Sequence, residues 1–128
     1  MSGRSKQSLG LGKNKFDTWE VGSNYKCEKL LGQGSYGQVA QAIQLSTGKR
    51  VAIKKMDKIF DDETDCKRIL REVTLLRKLR HPCVVELIEI CKPNDPDNFT
   101  TIYVVMEFAE SDLKKILKSS INLEILHI

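Results

Sequence analysis

Three closely spaced glycines, Gly32, Gly34 and Gly37, restrict the possible folds of this chain more than any other feature of its sequence. Glycine reaches backbone conformations closed to other residues and lets the main chain approach a partner closely. The residues after the glycines decide their use. A dinucleotide-binding turn needs them to open a helix. Here they lead into Val39-Ala40-Gln41-Ala42-Ile43, then the turn Ser46-Thr47-Gly48-Lys49, then Val51-Ala52-Ile53-Lys54-Lys55, with Cys27 to Leu31 running ahead of them. Short apolar runs broken by turn residues read as strands, so the glycines sit in a hairpin and three antiparallel strands succeed one another. Backbone N–H groups in such a hairpin can approach phosphate oxygens and donate strong charge-assisted hydrogen bonds.

The third run carries a lysine where alternation puts it on the same face as an alanine, Ala52 beside Lys54. An ammonium withdrawn from water costs several kcal/mol unless an anion meets it, so Lys54 needs a phosphate or a carboxylate. Glu72 is the candidate carboxylate; a surface salt bridge is its competing role. It lies in a stretch from Asp61 to Leu79 where Cys66, Ile69, Val73, Leu76 and Leu79 recur every three or four residues, and where Asp61, Asp62 and Glu63 favour a helix start. His81-Pro82 closes that helix. Two more strand-like runs, Val84 to Cys91 and Thr100 to Phe108, flank the polar segment 92–98, and Ser111 is placed to cap a short helix reaching about Lys118.

The expected architecture is therefore α+β: a five-stranded antiparallel sheet with one main helix over residues 25–128. Ahead of it lies a flexible basic extension, residues 1–24, from which Phe16, Trp19 and Val21 could dock on a neighbouring surface. Composition, with 41% hydrophobic and 30% charged residues, fits a soluble globular chain. The net charge of +4 includes Arg4, Lys6, Lys13 and Lys15, but no aromatic residues interleave with these bases, so a solvated tail is expected rather than a nucleic-acid surface. No apolar run approaches the roughly 20 residues that span a bilayer, and the N-terminus lacks a signal-peptide core. Cys27, Cys66, Cys83 and Cys91 form no C-x-x-C pair and suit reduced thiols in the cytoplasm or nucleus. No metal ligands stand out.

Gly32-Gln33-Gly34-Ser35-Tyr36-Gly37-Gln38-Val39, Val51-Ala52-Ile53-Lys54 and Glu72 together resemble the motif set of eukaryotic serine/threonine protein kinases. The resemblance covers roughly residues 19–128, the N-terminal lobe, the hinge and the first helix beyond it. It implies ATP as cofactor, with Lys54 on the α- and β-phosphates, Glu72 positioning that lysine, and the glycine segment covering the phosphates. It also implies that Leu31, Val39 and Ala52 sandwich adenine, although each of the three would serve equally as core. By the same resemblance Met106 stands behind the adenine pocket as gatekeeper and the backbone of Glu107 and Ala109 bonds adenine's edge. The ending Glu110-Ser111-Asp112-Leu113-Lys114-Lys115 resembles mitogen-activated protein kinases, where the aspartate bonds ribose, which would give Asp112 that role; cyclin-dependent kinases come next.

The family's H-R-D base, the metal-binding asparagine of the same loop and the D-F-G aspartate match nothing here. His81 and His127 precede Pro82 and Ile128, and Lys15, Ile59, Asn98 and Glu107 precede the four phenylalanines. Whether the chain is an enzyme thus stays open: magnesium is implied without its protein ligands, and the 128 residues alone are expected not to phosphorylate protein. Protein substrates or upstream kinases would be partners only of a longer form. Two other readings remain, a non-catalytic short form that binds kinase partners, and a truncated fragment without function, suggested by the unfinished apolar pattern Ile121 to Ile128. A nucleotide-binding oxidoreductase is a remote third.

Overall fold

The computed structural model describes residues 14–35 and 37–127. Five strands, β1 (Tyr25–Gly34), β2 (Gly37–Gln44), β3 (Lys49–Met56), β4 (Leu87–Ile90) and β5 (Ile102–Glu107), form one antiparallel sheet in the order β1-β2-β3-β5-β4. The main helix, α1 (Glu63–Lys78), follows β3, and a short helix, α2 (Leu113–Lys118), follows β5. A single turn of 3-10 helix, Ile125–His127, comes last. Sheet and main helix are as the sequence indicates.

Strand alternation divides the sheet into two faces. Ala40, Ala42, Val51, Ile53, Tyr103 and Val105 point to one, and Phe16, Trp19 and Val21 cover it. The last part of the segment ahead of β1 therefore docks on the sheet of its own chain, and Trp19 meets Phe16 edge to face at 5.2 Å and Tyr103 at 5.7 Å between centroids. Arg4, Lys6 and Lys13 lie outside the described residues. Met56 and Val104 point to the opposite face, where Ile69 and Val73 of α1 pack with Met106. No residue of α1 is fully buried, and Leu70 and Leu75 are exposed. The helix thus rests lightly on the sheet.

Strand β5 is shorter than the run Thr100 to Phe108, β4 ends at Ile90, α1 starts at Glu63 behind its cap Asp62, and other local features also depart from the sequence expectation. Helix α2 is capped by Asp112, not Ser111: its carboxylate accepts from the Lys115 amide at 2.8 Å, while the Ser111 hydroxyl turns toward the Asp112 carbonyl. A carboxylate both satisfies the amide and complements the positive helix end, which a hydroxyl does only in part. Strand β4 begins at Leu87 and not at Val84, because the Val84 amide is spent on a turn to the His81 carbonyl at 3.0 Å. Helix α1 ends at Lys78, with Leu79 in an extended conformation.

The sheet curls enough that its edge strands meet, and the Tyr25 hydroxyl of β1 donates to the Glu89 carboxylate of β4. Burial, then the Glu89 carboxylate, push the Tyr25 phenol above its ordinary value near 10. A raised folded-state value means that above pH 10 the folded protein retains a proton the unfolded chain has released, so stability present below pH 10 is lost as pH rises further. The thermal midpoint should fall above pH 10, and Tyr25→Phe should flatten that fall; an identical decline in the variant would exclude Tyr25 as its source.

Candidate functional site

Register sets the site. On the face that α1 covers, β1 to β5 align Gly32 with Val39, Val39 with Lys54, and Lys54 with Val104, while the neighbouring row aligns Gln41 with Ala52 and Ala52 with Met106. Val39, Ala52, Lys54 and Met106 therefore share one surface. The Lys54 ammonium donates to Glu72 Oε1 of α1 at 2.6 Å, both side chains being partly shielded from water. An ion pair so placed gains more than a surface pair, because less solvent screens it.

The hairpin joining β1 and β2 contains the glycines, none of which opens a helix. They are not equivalent. Gly37 has φ of 135°, and a Cβ there would stand 1.9 Å from the Lys55 carbonyl oxygen, so the fold itself requires glycine. Gly32 and Gly34 have no positive φ, and a Cβ on either would meet no atom within 4 Å. Among the described residues nothing demands glycine at those two positions. Gln33, Gly34, Ser35 and Gly37 line a recess of about 560 Å³ between the hairpin and the start of α1. Tyr36 lies outside the described residues.

A second cleft, about 520 Å³, opens at the far end of β1 and β3. Leu31, Ala109 and Asp112 line it. The register shifts between Leu30 and Gly32, leaving Leu31 as the extra residue of a bulge, a device that re-aims a side chain. Backbone pairing of β5 stops at Glu107, whose amide donates to the Glu86 carbonyl at 2.9 Å, so Ala109 follows free of the ladder. The structure thus brings Lys54 to Glu72, sets Ala52 beside Met106, and gathers Leu31 with Ala109 and Asp112. The Asp112 carboxylate is already partly occupied in capping α2.

Gln41 and Arg50 also line this second cleft, though no motif marks them. Counting back by twos from Lys54 through Ala52 reaches Arg50, and forward from Val39 reaches Gln41, so strand periodicity alone would have found both. Among the described residues no cluster of His, Cys, Asp and Glu could hold a metal ion.

Residues 25–127 match the protein kinase domain. The chain belongs to the protein kinase family. It is similar to mitogen-activated protein kinase 15 of Oryza sativa subsp. japonica, 46% identical over 108 residues, 84% of this chain and 22% of that protein. Similarity to mitogen-activated protein kinase 16 of Arabidopsis thaliana is likewise 46% over 108 residues, 84% of this chain and 19% of that protein. The chain thus spans about a fifth of the length of these relatives. It has the N-terminal lobe of a serine/threonine kinase of the mitogen-activated type.

Proposed function

We propose that this kinase lobe binds ATP across the surface bounded by the glycine hairpin, Lys54 and the segment after β5. The observation that carries the reading is the Lys54–Glu72 ion pair at 2.6 Å. A carboxylate holds the ammonium in place on the sheet face while leaving its remaining N–H donors for phosphate oxygens. Lys54 would take the α- and β-phosphates, with Glu72 positioning it. Backbone amides of Gly32, Gln33, Gly34, Ser35, Tyr36 and Gly37 would close over the phosphates. Leu31, Val39 and Ala52 would hold the faces of adenine, Met106 its back, the Glu107 and Ala109 backbone its edge, and Asp112 the ribose.

In kinases ATP supplies the transferable γ-phosphoryl group, with magnesium neutralising the phosphates. Among the described residues no group of three or more His, Cys, Asp or Glu side chains could hold the metal. Transfer to protein serine or threonine hydroxyls, and protein substrates and upstream kinases as partners, are proposed only for a form that also carries the base and metal-binding residues missing from the 128. We place the protein in the cytoplasm or nucleus, acting on neither membrane nor nucleic acid. No helix among the described residues is long and apolar enough to cross a membrane.

Thermal stabilisation by ATP tests the reading. Ligand at a hundred times its dissociation constant should raise stability by about 2.7 kcal/mol. Lys54→Ala removes a charge-assisted contact and should weaken ATP on the order of tenfold or more. Equal shifts in the two proteins, or none in the parent at millimolar ATP, would overturn it.

A non-catalytic role as a partner-binding lobe has one observation in its favour: Leu113, Leu117, Ile121, Ile125 and Leu126 are all at least 65% exposed. Exposed apolar surface of this kind marks either an interaction site or an aggregation liability. A monodisperse monomer in sedimentation supports the partner-binding role, and concentration-dependent aggregation supports a fragment without function.

A further inference from the structure

The β3–β5 ladder ends at Val51 opposite Glu107. Beyond that point Phe108, Ala109 and Glu110 have no strand partner, although the ATP reading asks Ala109 to present its backbone in one fixed orientation. Arg50, the residue next to Val51 at the end of the ladder, reaches across to this stretch. Its guanidinium lies 4.8 Å from the centroid of the Phe108 ring and its Nη2 donates to Glu110 Oε1 at 3.0 Å. One side chain therefore holds the residues on both sides of Ala109. We infer that Arg50 is a positioning residue, fixing the segment after β5 in the shape that offers the Ala109 backbone to adenine; this rests on the ATP reading above.

The chemistry requires arginine. A planar guanidinium can stack on an aromatic face while its edge donates to a carboxylate, whereas an ammonium offers a point charge and cannot do both with the same geometry. Stability is a poor explanation for the arrangement. The two charged side chains are 49% and 78% exposed, and exposed ion pairs contribute little to folding. What the contacts do supply is orientation of a short stretch that the sheet has released.

The experiment compares three ligands, ATP, adenosine and inorganic triphosphate, on the parent chain and on Arg50→Met, Arg50→Lys and Lys54→Ala. Arg50→Met should weaken ATP and adenosine alike, by about three- to tenfold, the combined scale of one exposed cation–π contact and one exposed ion pair. Triphosphate affinity and thermal midpoint should stay near the parent's, and Arg50→Lys should recover part of the adenosine loss. Lys54→Ala should do the reverse, losing triphosphate and ATP while keeping adenosine. Unchanged adenosine affinity in Arg50→Met, with ATP binding intact in the parent, overturns the role of Arg50 and leaves the ATP reading standing. Should the parent bind none of the three, the ATP reading fails. Amide hydrogen exchange at residues 108–110 without nucleotide then decides the orientation claim, which needs faster exchange in Arg50→Met and fails if the rates are equal.

Discussion

Gly37→Ala should lower the stability of the lobe by about 2–4 kcal/mol, combining the cost of an unfavourable positive φ with displacement of a strand. The atom a methyl group would strike is the carbonyl oxygen of Lys55, 1.9 Å away, and beyond it the Lys55 carbonyl carbon at 3.0 Å. These are backbone atoms of β3, which cannot swing aside as a side chain would. Relief requires moving β3 away from the hairpin, and β3 carries both Ala52 and Lys54. Gly34→Ala should behave oppositely. It meets open space without positive φ, so it should hold or slightly raise stability by restricting the unfolded chain, while weakening ATP by obstructing phosphate approach. Urea denaturation of both variants, paired with ATP titration of Gly34→Ala, separates a glycine the fold requires from one a ligand requires. A Gly37→Ala chain with the parent's denaturation midpoint would refute the first half, and a Gly34→Ala chain with the parent's ATP affinity the second.

That contrast also marks how far the sequence could be read. The hairpin was legible because the residues after the glycines alternate and then turn, which a helix cannot do. The Lys54–Glu72 pair was legible because an ammonium on an apolar strand needs an anion, and α1 offered one on the stripe that packs. The differing roles of Gly34 and Gly37 were not legible, since the clash depends on Lys55, a residue of another strand. Adjacent capping residues hid the choice between Ser111 and Asp112, because both types cap helices and only the backbone angles of position 112 settle it. Resemblance alone marks Leu31; the bulge that turns it to the cleft has no local signature. Strand periodicity puts Arg50 on the face of Ala52 and Lys54, but its partners, Phe108 and Glu110, lie far along the chain and have no local signal. Local rules found what alternation and charge cost determine, and missed what register and non-local contact determine.

Trp19→Ala should cost about 3–5 kcal/mol, a large part of the total stability of a domain this small. Trp19 is 8% exposed and belongs to the cluster with Phe16, Val21, Ile53, Tyr103 and Val105. Its ring stands at 90° to Phe16 and 49° to Tyr103, and the Lys55 ammonium lies 5.8 Å from its centroid. Truncation opens a cavity that neither sheet nor tail can readily collapse to fill, because Ile53 and Val105 beneath it are fixed by ladders on both sides. Tyr103 and Lys55 are sequence neighbours of Val104 and Lys54 on the reverse face, so loosening this side should also loosen the strands that carry the ion pair. Trp19→Phe keeps an aromatic partner for Phe16 and Tyr103 and should recover more than half the loss. Trp19 is the only tryptophan, so far-ultraviolet circular dichroism, not intrinsic fluorescence, must follow the denaturation. A Trp19→Ala chain within about 1 kcal/mol of the parent, below the cost expected for truncating a buried aromatic, would show that the segment ahead of β1 only lies against the sheet and does not hold it together.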